Sequence, residues 1–87
     1  MVIDKIFKKI VNERNRQNIK WGFPQHNSLT MWGVILGEEV GEVMKEICDI
    51  TNGSATDIEN LKTELIQVAS VCVNFLEHLE AKEVEEE

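Results

Sequence analysis

Proline occurs once in this chain, at Pro24, and glycine five times in 87 residues. No stretch alternates apolar and polar residues as a half-buried strand does. These scarcities exclude an architecture of many short strands joined by tight turns and favour an all-α fold. No apolar run approaches the ~18 residues of a membrane-crossing helix. The first residues include lysines, but no signal-type apolar segment follows them, so a soluble, cytoplasmic protein without a membrane partner is expected. Cysteine is limited to Cys48 and Cys72, with no C-x-x-C pair, which excludes a zinc ribbon or a dithiol redox motif. Both fall mid-helix at apolar or near-apolar positions, and two buried thiols are expected rather than a disulfide. Nine Lys and Arg face sixteen Asp and Glu, a net charge of −7. That excludes a nucleic-acid polymer as partner, because phosphate backbones require clustered cations. Six of the acids lie in the last eleven residues and inflate the figure. A phosphorylated small molecule is still admissible if metal ions reverse the local charge.

What is present is enough for one small domain. Hydrophobic residues make up 43% of the chain, far from the disordered class. A chain this short buries a modest share of its surface, so the expected fold is a short bundle of three main helices completed by oligomerisation. The domain spans residues 1–80, and residues 81–87 form a frayed acidic tail whose like charges repel.

The first helix is expected over residues 2–19, from the helical spacing of Ile3, Ile6, Phe7, Ile10 and Val11. Its polar end, Asn12–Lys20, reads either as a solvated helix end with cations near the C-terminal dipole or as a positive rim for phosphates. Trp21–Ser28 is the break, punctuated by Gly22 and Pro24. Asn27 or Ser28 can cap the next helix. Trp21, Phe23, Gln25 and His26 in this break can hold a nucleobase by stacking and edge hydrogen bonds. Alternatively, Trp21 and Phe23 plug the end of the bundle while His26 caps it. The second helix runs from about Leu29 to Ile50 and is stopped by Gly53. Thr56 and Glu59 have the form of a capping box. A third helix then reaches roughly Leu79 on a stripe of Leu61, Leu65, Val68, Cys72, Phe75, Leu76 and Leu79, with Asn60, Gln67 and Asn74 along one polar edge.

The second helix carries the chemistry. With ~100° per residue, Ile35, Leu36, Val40, Val43, Ile47 and Ile50 fall on one broad face. Glu39 and Glu46 fall inside that face, Glu42 at its edge and Glu38 just beyond it. A solvated helix flank would place its acids opposite the apolar stripe, and an unpaired buried carboxylate costs several kcal/mol. Glu64 brings another acid to the flank of the third helix's stripe. Several carboxylates in one volume either rise in pKa or bind cations. Hard oxygen ligands without His or Cys select Mg²⁺ or Mn²⁺. Such ions polarise phosphoryl oxygens and activate water. A di-iron site is excluded because no Glu-x-x-His pair exists.

Glu38-Glu39-Val40-Gly41-Glu42, followed after 21 residues by Glu64-Leu65-Ile66-Gln67, resembles the EExxE…ExxD signature of the MazG-like, all-α nucleoside triphosphate pyrophosphohydrolases. Arg16-Gln17-x-x-Lys20-Trp21-Gly22, Gln25-x-Asn27 and Trp32-x-x-Ile35-Leu36 are similar to the small phage-type branch of that family. The likeness covers roughly residues 12–80. It implies Mg²⁺-dependent hydrolysis between the α- and β-phosphates, giving a monophosphate and pyrophosphate. It also implies homodimers or homotetramers with sites at subunit interfaces. Carried over by position, the metal-binding acids are Glu38 or Glu39, Glu42 and Glu64, with Gln67 where the family has Asp. Substrate-binding positions are Lys20 or Arg16 near phosphate, Trp21, Gln25 and His26 near the base, and Asn74. Gln67 offers a carbonyl oxygen without charge. The departure therefore implies a weaker metal, a water-orienting amide, substitution by Glu46, or a catalytically degenerate interaction module of the same fold.

Overall fold

The structure, a computed structural model, describes residues 1–23 and 25–86, with side chains described as far as Ala81. Pro24, and most of the expected tail at 81–87, lie outside the described residues or side chains. Three helices make up the fold: α1 (Val2–Trp21), α2 (Leu29–Thr51) and α3 (Glu59–Glu86). Among the described residues there is no strand, and no helix is long and apolar enough to cross a membrane.

Local chemistry sets the boundaries. Gly22 follows α1 with a φ of 88°, a left-handed value that favours glycine, while its N–H caps the Asn18 carbonyl. Ser28 caps α2 by accepting the Met31 N–H at 3.1 Å. Gly53, at φ 82°, turns the chain after α2. The cap of α3 differs from the expected capping box: the Asp57 carboxylate, not Thr56, accepts the Glu59 N–H at 2.8 Å. The third helix also continues past Leu79, through a segment rich in Glu, Ala and Lys, which are good helix formers.

α3 is the middle element. It packs against α1 on one side and α2 on the other, while α1 and α2 do not approach each other among the described residues. The radius of gyration is 14.8 Å and the extents are 51 × 33 × 21 Å. A compact chain of this length would measure about 12 Å, so the helices form an open layer.

The apolar core is correspondingly small, consisting of Trp32, Val43 and Val71 among the described residues. Trp32 stacks on Phe75 with centroids 5.2 Å apart and meets His78 at 5.8 Å. The stripe expected to bury α3 is covered in part: Leu61, Val68, Cys72 and Phe75 are half-buried, while Leu65 and Leu76 stay 50% and 56% exposed. The residues that α3 buries most fully are Val71 and the polar Ser70 and Asn74. The Ser70 hydroxyl lies 2.7 Å from the Ile66 carbonyl and 3.2 Å from that of Ile10, which seats α1 closely on α3 through a small side chain. Cys48 is exposed and Cys72 half-buried, both free, so the expectation of two buried thiols fails at Cys48. The apolar arc of α2 is wider than the part α3 covers, and Val40, Met44 and Ile47 are also exposed.

Candidate functional site

α1, α2 and the connecting loop enclose a cleft of about 430 Å³ with α3 as its floor. Gln17 and Trp21 come from α1, Gln25, His26 and Asn27 from the loop, and Val71 and Asn74 from α3. Trp32, Ile35, Glu38 and Glu39 come from α2. Four of the five expected substrate-binding residues, Trp21, Gln25, His26 and Asn74, therefore line one cavity with two of the expected acids. Lys20 does not line it; its ammonium lies over the Trp21 ring, 5.1 Å from the centroid. The loop is tied back through Phe23, which sits under the Arg14 guanidinium at 5.2 Å. Arg14 in turn forks onto Glu77 of α3.

The acids sit where α2 meets α3. Glu39, Glu46 and Glu64 are half-buried, while Glu38 and Glu42 are exposed, which matches their angles around the helix. Burial, then the charges of Glu64, Glu42, Glu13 and Glu38, raise the Glu39 pKa above its usual 4.5. Burial, then Glu42 and Glu46, raise that of Glu64, with only Lys45 acting against them. None of these five carboxylates is paired with a Lys or Arg among the described residues; the ion pairs present are elsewhere.

Gln67 joins two of the acids. Its amide is read with the nitrogen toward them, since the reverse would aim one acceptor at two others. In this orientation Nε2 donates to Glu64 Oε2 at 2.8 Å and to Glu39 Oε2 at 3.2 Å. The structure thus brings Glu39, Glu64 and Gln67 together, with Glu38 and Glu42 alongside. Among the described residues, no three His, Cys, Asp or Glu side chains form a ready-made metal cage. Gln67 also lines a shallower groove with Lys9, Asn12 and Arg16 on the α1 side, so cations stand just beyond the acids.

Sequence reasoning missed the polar network behind the cleft. Gln17, in the stretch read as a solvated end or a positive rim, is 2% exposed. It follows Ile3 and Ile10 at seven-residue intervals, a spacing that keeps it on their face and was the available signal. Its Oε1 accepts from Asn74 Nδ2 at 2.7 Å, and its Nε2 donates to Glu13 at 3.3 Å. Glu13 is held by both arms of Arg16 at 2.7 Å, and that hydrogen-bonded guanidinium keeps its pKa below the usual value. Two buried atoms on cleft-lining residues have no partner, Trp32 Nε1 and Asn74 Oδ1. Each such buried, unpaired group costs about 1–3 kcal/mol.

No protein-family model, curated protein or solved structure matches the chain.

Proposed function

We propose that this protein is a cytoplasmic, Mg²⁺-dependent nucleotide pyrophosphohydrolase, cutting a nucleoside triphosphate into its monophosphate and pyrophosphate. The observation that carries the reading is a single cleft lined by aromatic and amide side chains together with Glu38 and Glu39, neither of which has an ion-pair partner among the described residues. Trp21, Gln25 and His26 suit a planar base. Lys9 and Arg16 beyond Gln67 suit the distal phosphates, with Lys20 at the rim.

The donor set fits a hard divalent cation, because crowded oxygens with raised pKa values and no paired cation favour one. Glu39 and Glu64 would hold Mg²⁺, or Mn²⁺ in its place, with Glu38 and Glu42 flanking. Bound there, the ion would neutralise phosphoryl charge and lower the pKa of a water. The chain's own work is to orient the substrate and leave that acidic pair without an ion-pair partner among the described residues. Incubation with each NTP and dNTP plus Mg²⁺ is expected to release pyrophosphate from at least one of them. No release from any, at high protein concentration, refutes the reading.

A second copy of the chain completes the fold in this reading, as a homodimer or homotetramer. The groove lined by Val2, Ile6, Ile10, Leu65, Ile66 and Ala69, together with Lys5, Lys9 and Lys62, would be its seat on α1 and α3.

One observation favours a catalytically degenerate interaction module instead: a neutral amide, Gln67, occupies the space between Glu39 and Glu64. Gln67→Asp separates the two readings. In an enzyme weakened only at this position, the added carboxylate should tighten Mg²⁺ or Mn²⁺ at least about tenfold by calorimetry and raise turnover. A degenerate module should bind no divalent ion measurably, with or without the substitution.

A further inference from the structure

α3 carries an apolar stripe that its own chain leaves about half exposed. At ~100° per residue, Ile58, Leu65, Ala69, Cys72, Leu76 and Leu79 fall within about 80° of arc. Ile58, Leu65 and Leu76 stay half exposed or more, and Leu79 is 37% exposed. α2 meets the side of α3 that carries Gln67, and α1 the side that carries Ser70. The stripe lies outside both contacts and borders the α1–α3 groove through Leu65 and Ala69. Ile58, Leu65, Cys72 and Leu79 follow at seven-residue intervals, the repeat by which paired helices bury a common seam. That seam is about 30 Å long.

Charge is unevenly spread along it. Lys62 flanks the N-terminal half, with Lys5 and Lys9 of α1 lining the same groove. Glu80 flanks the C-terminal end, exposed and in no ion pair among the described residues. In sequence, Glu83, Glu85, Glu86 and Glu87 follow it against a single Lys82. Lys62 and Glu80 are eighteen residues apart, five whole turns, so they stand on the same flank. Two symmetry-related helices bring like flanks together when they run antiparallel, with the N-terminal half of each beside the C-terminal half of the other. A parallel pair would gather the lysines of both copies at one end and the glutamates at the other.

We propose that this stripe is the contact with a second copy of the chain: the two α3 helices pair antiparallel about a two-fold axis level with Ser70 and Val71. Leu65 then packs on Leu76 of the second copy, Ala69 faces Cys72 of the second copy, and Lys62 meets Glu80 of the second copy. Symmetry repeats each contact, so the pairing is closed and does not propagate. The inference rests on the second-copy reading given above and is independent of the hydrolase reading.

Sedimentation of the full chain reads the dimer constant. Lys62→Glu or Glu80→Lys alone should weaken dimerisation about tenfold, because attraction becomes repulsion and symmetry counts each substitution twice. The two together should restore the constant to within about threefold of the wild type, which a general folding defect would not do. A covalent readout fixes the register. Cys48→Ser removes the exposed thiol. With Ala69→Cys added, diamide oxidation should link the new thiol to Cys72 of the second copy, giving a dimer on a denaturing gel. Cys48→Ser alone should give none. A dimer indifferent to either reversal, a double reversal no tighter than the singles, no linked dimer from Ala69→Cys, or a linked dimer through Cys72 alone would each overturn this pairing and leave a second copy to sit elsewhere. A chain that stays monomeric at high concentration would remove the pairing and the second-copy reading together.

Discussion

Replacing Glu39 by glutamine is expected to abolish pyrophosphate release, by at least about a hundredfold, while raising the melting temperature of the metal-free protein at neutral pH. Glu39 is held above its ordinary pKa by burial first and by Glu64, Glu42, Glu13 and Glu38 after that. The folded chain therefore binds this proton more tightly than the unfolded chain, and ionising it works against folding. Stability of the metal-free protein should fall as pH rises from below the ordinary value of 4.5 through the raised one. Glu64, shifted in the same direction, adds to the fall. Glutamine keeps the shape, can still accept from Gln67, and removes the charge. The fall should accordingly be shallower in Glu39→Gln, as read by thermal melts across about pH 4 to 8. Added Mg²⁺ or Mn²⁺ should reverse it in the wild type by mass action and have much less effect in the variant. Full activity in Glu39→Gln, or a lower melting temperature at neutral pH, would show that this carboxylate is structural.

Breaking the expected assembly should have an effect on stability larger still. The chain buries only three apolar side chains among the described residues, while Phe7, Met44, Leu65 and Leu76 each stay about half exposed or more. Full burial of one such side chain is worth about 1.5–3 kcal/mol, and ordering each residue's backbone costs about 1–2 kcal/mol. In the proposed assembly a second copy supplies the remaining apolar burial. The melting temperature should rise with protein concentration over a hundredfold range, about two powers of ten in the mass-action term. Sedimentation should show a dimer or tetramer. Ile6→Glu with Leu65→Glu, placing charges in the apolar groove between α1 and α3, should yield a monomer with most of its helicity lost. A well-folded monomer with a concentration-independent melt would overturn this, along with any second-copy role.

The helices themselves were written plainly in the chain. Ser28, Gly22 and Gly53 act within a turn of their own positions, and the period of Ile3, Ile6 and Ile10 needs only local geometry, so α1 and the start of α2 emerge where expected. The angular order of the acids on α2 was readable for the same reason: Glu39 and Glu46 fall inside the arc and Glu38 outside it, as found. The inward face of α3 was not readable. Its leucine stripe carries the stronger hydrophobic signal, yet the residues most fully buried are Ser70, Val71 and Asn74, because that side meets the neighbouring helices while Leu65 and Leu76 are left outside. Gln17 and Glu13 escaped notice because their role depends on Asn74, fifty-seven residues beyond Gln17. Pairings that distant leave no periodic trace in one sequence. Glu64 and Gln67 are neighbours three apart on one helix, but the meeting of Gln67 with Glu39 depends on how α2 lies along α3.

That α1 and α2 each rest on α3 and not on each other makes the pair behave like the arms of a caliper sharing one spine. The gap between the arms is gauged at the Ser70 bearing, where the Ile10 carbonyl comes within 3.2 Å of the hydroxyl. A bulkier side chain there would splay α1 outward and leave the α2 carboxylates where they are. Aperture and acidity are thus linked through α1: one small residue on the spine sets the gap, and because Glu13 of α1 is among the charges that raise the Glu39 pKa, a relative of this fold that widens the gap there also eases the crowding of its acids.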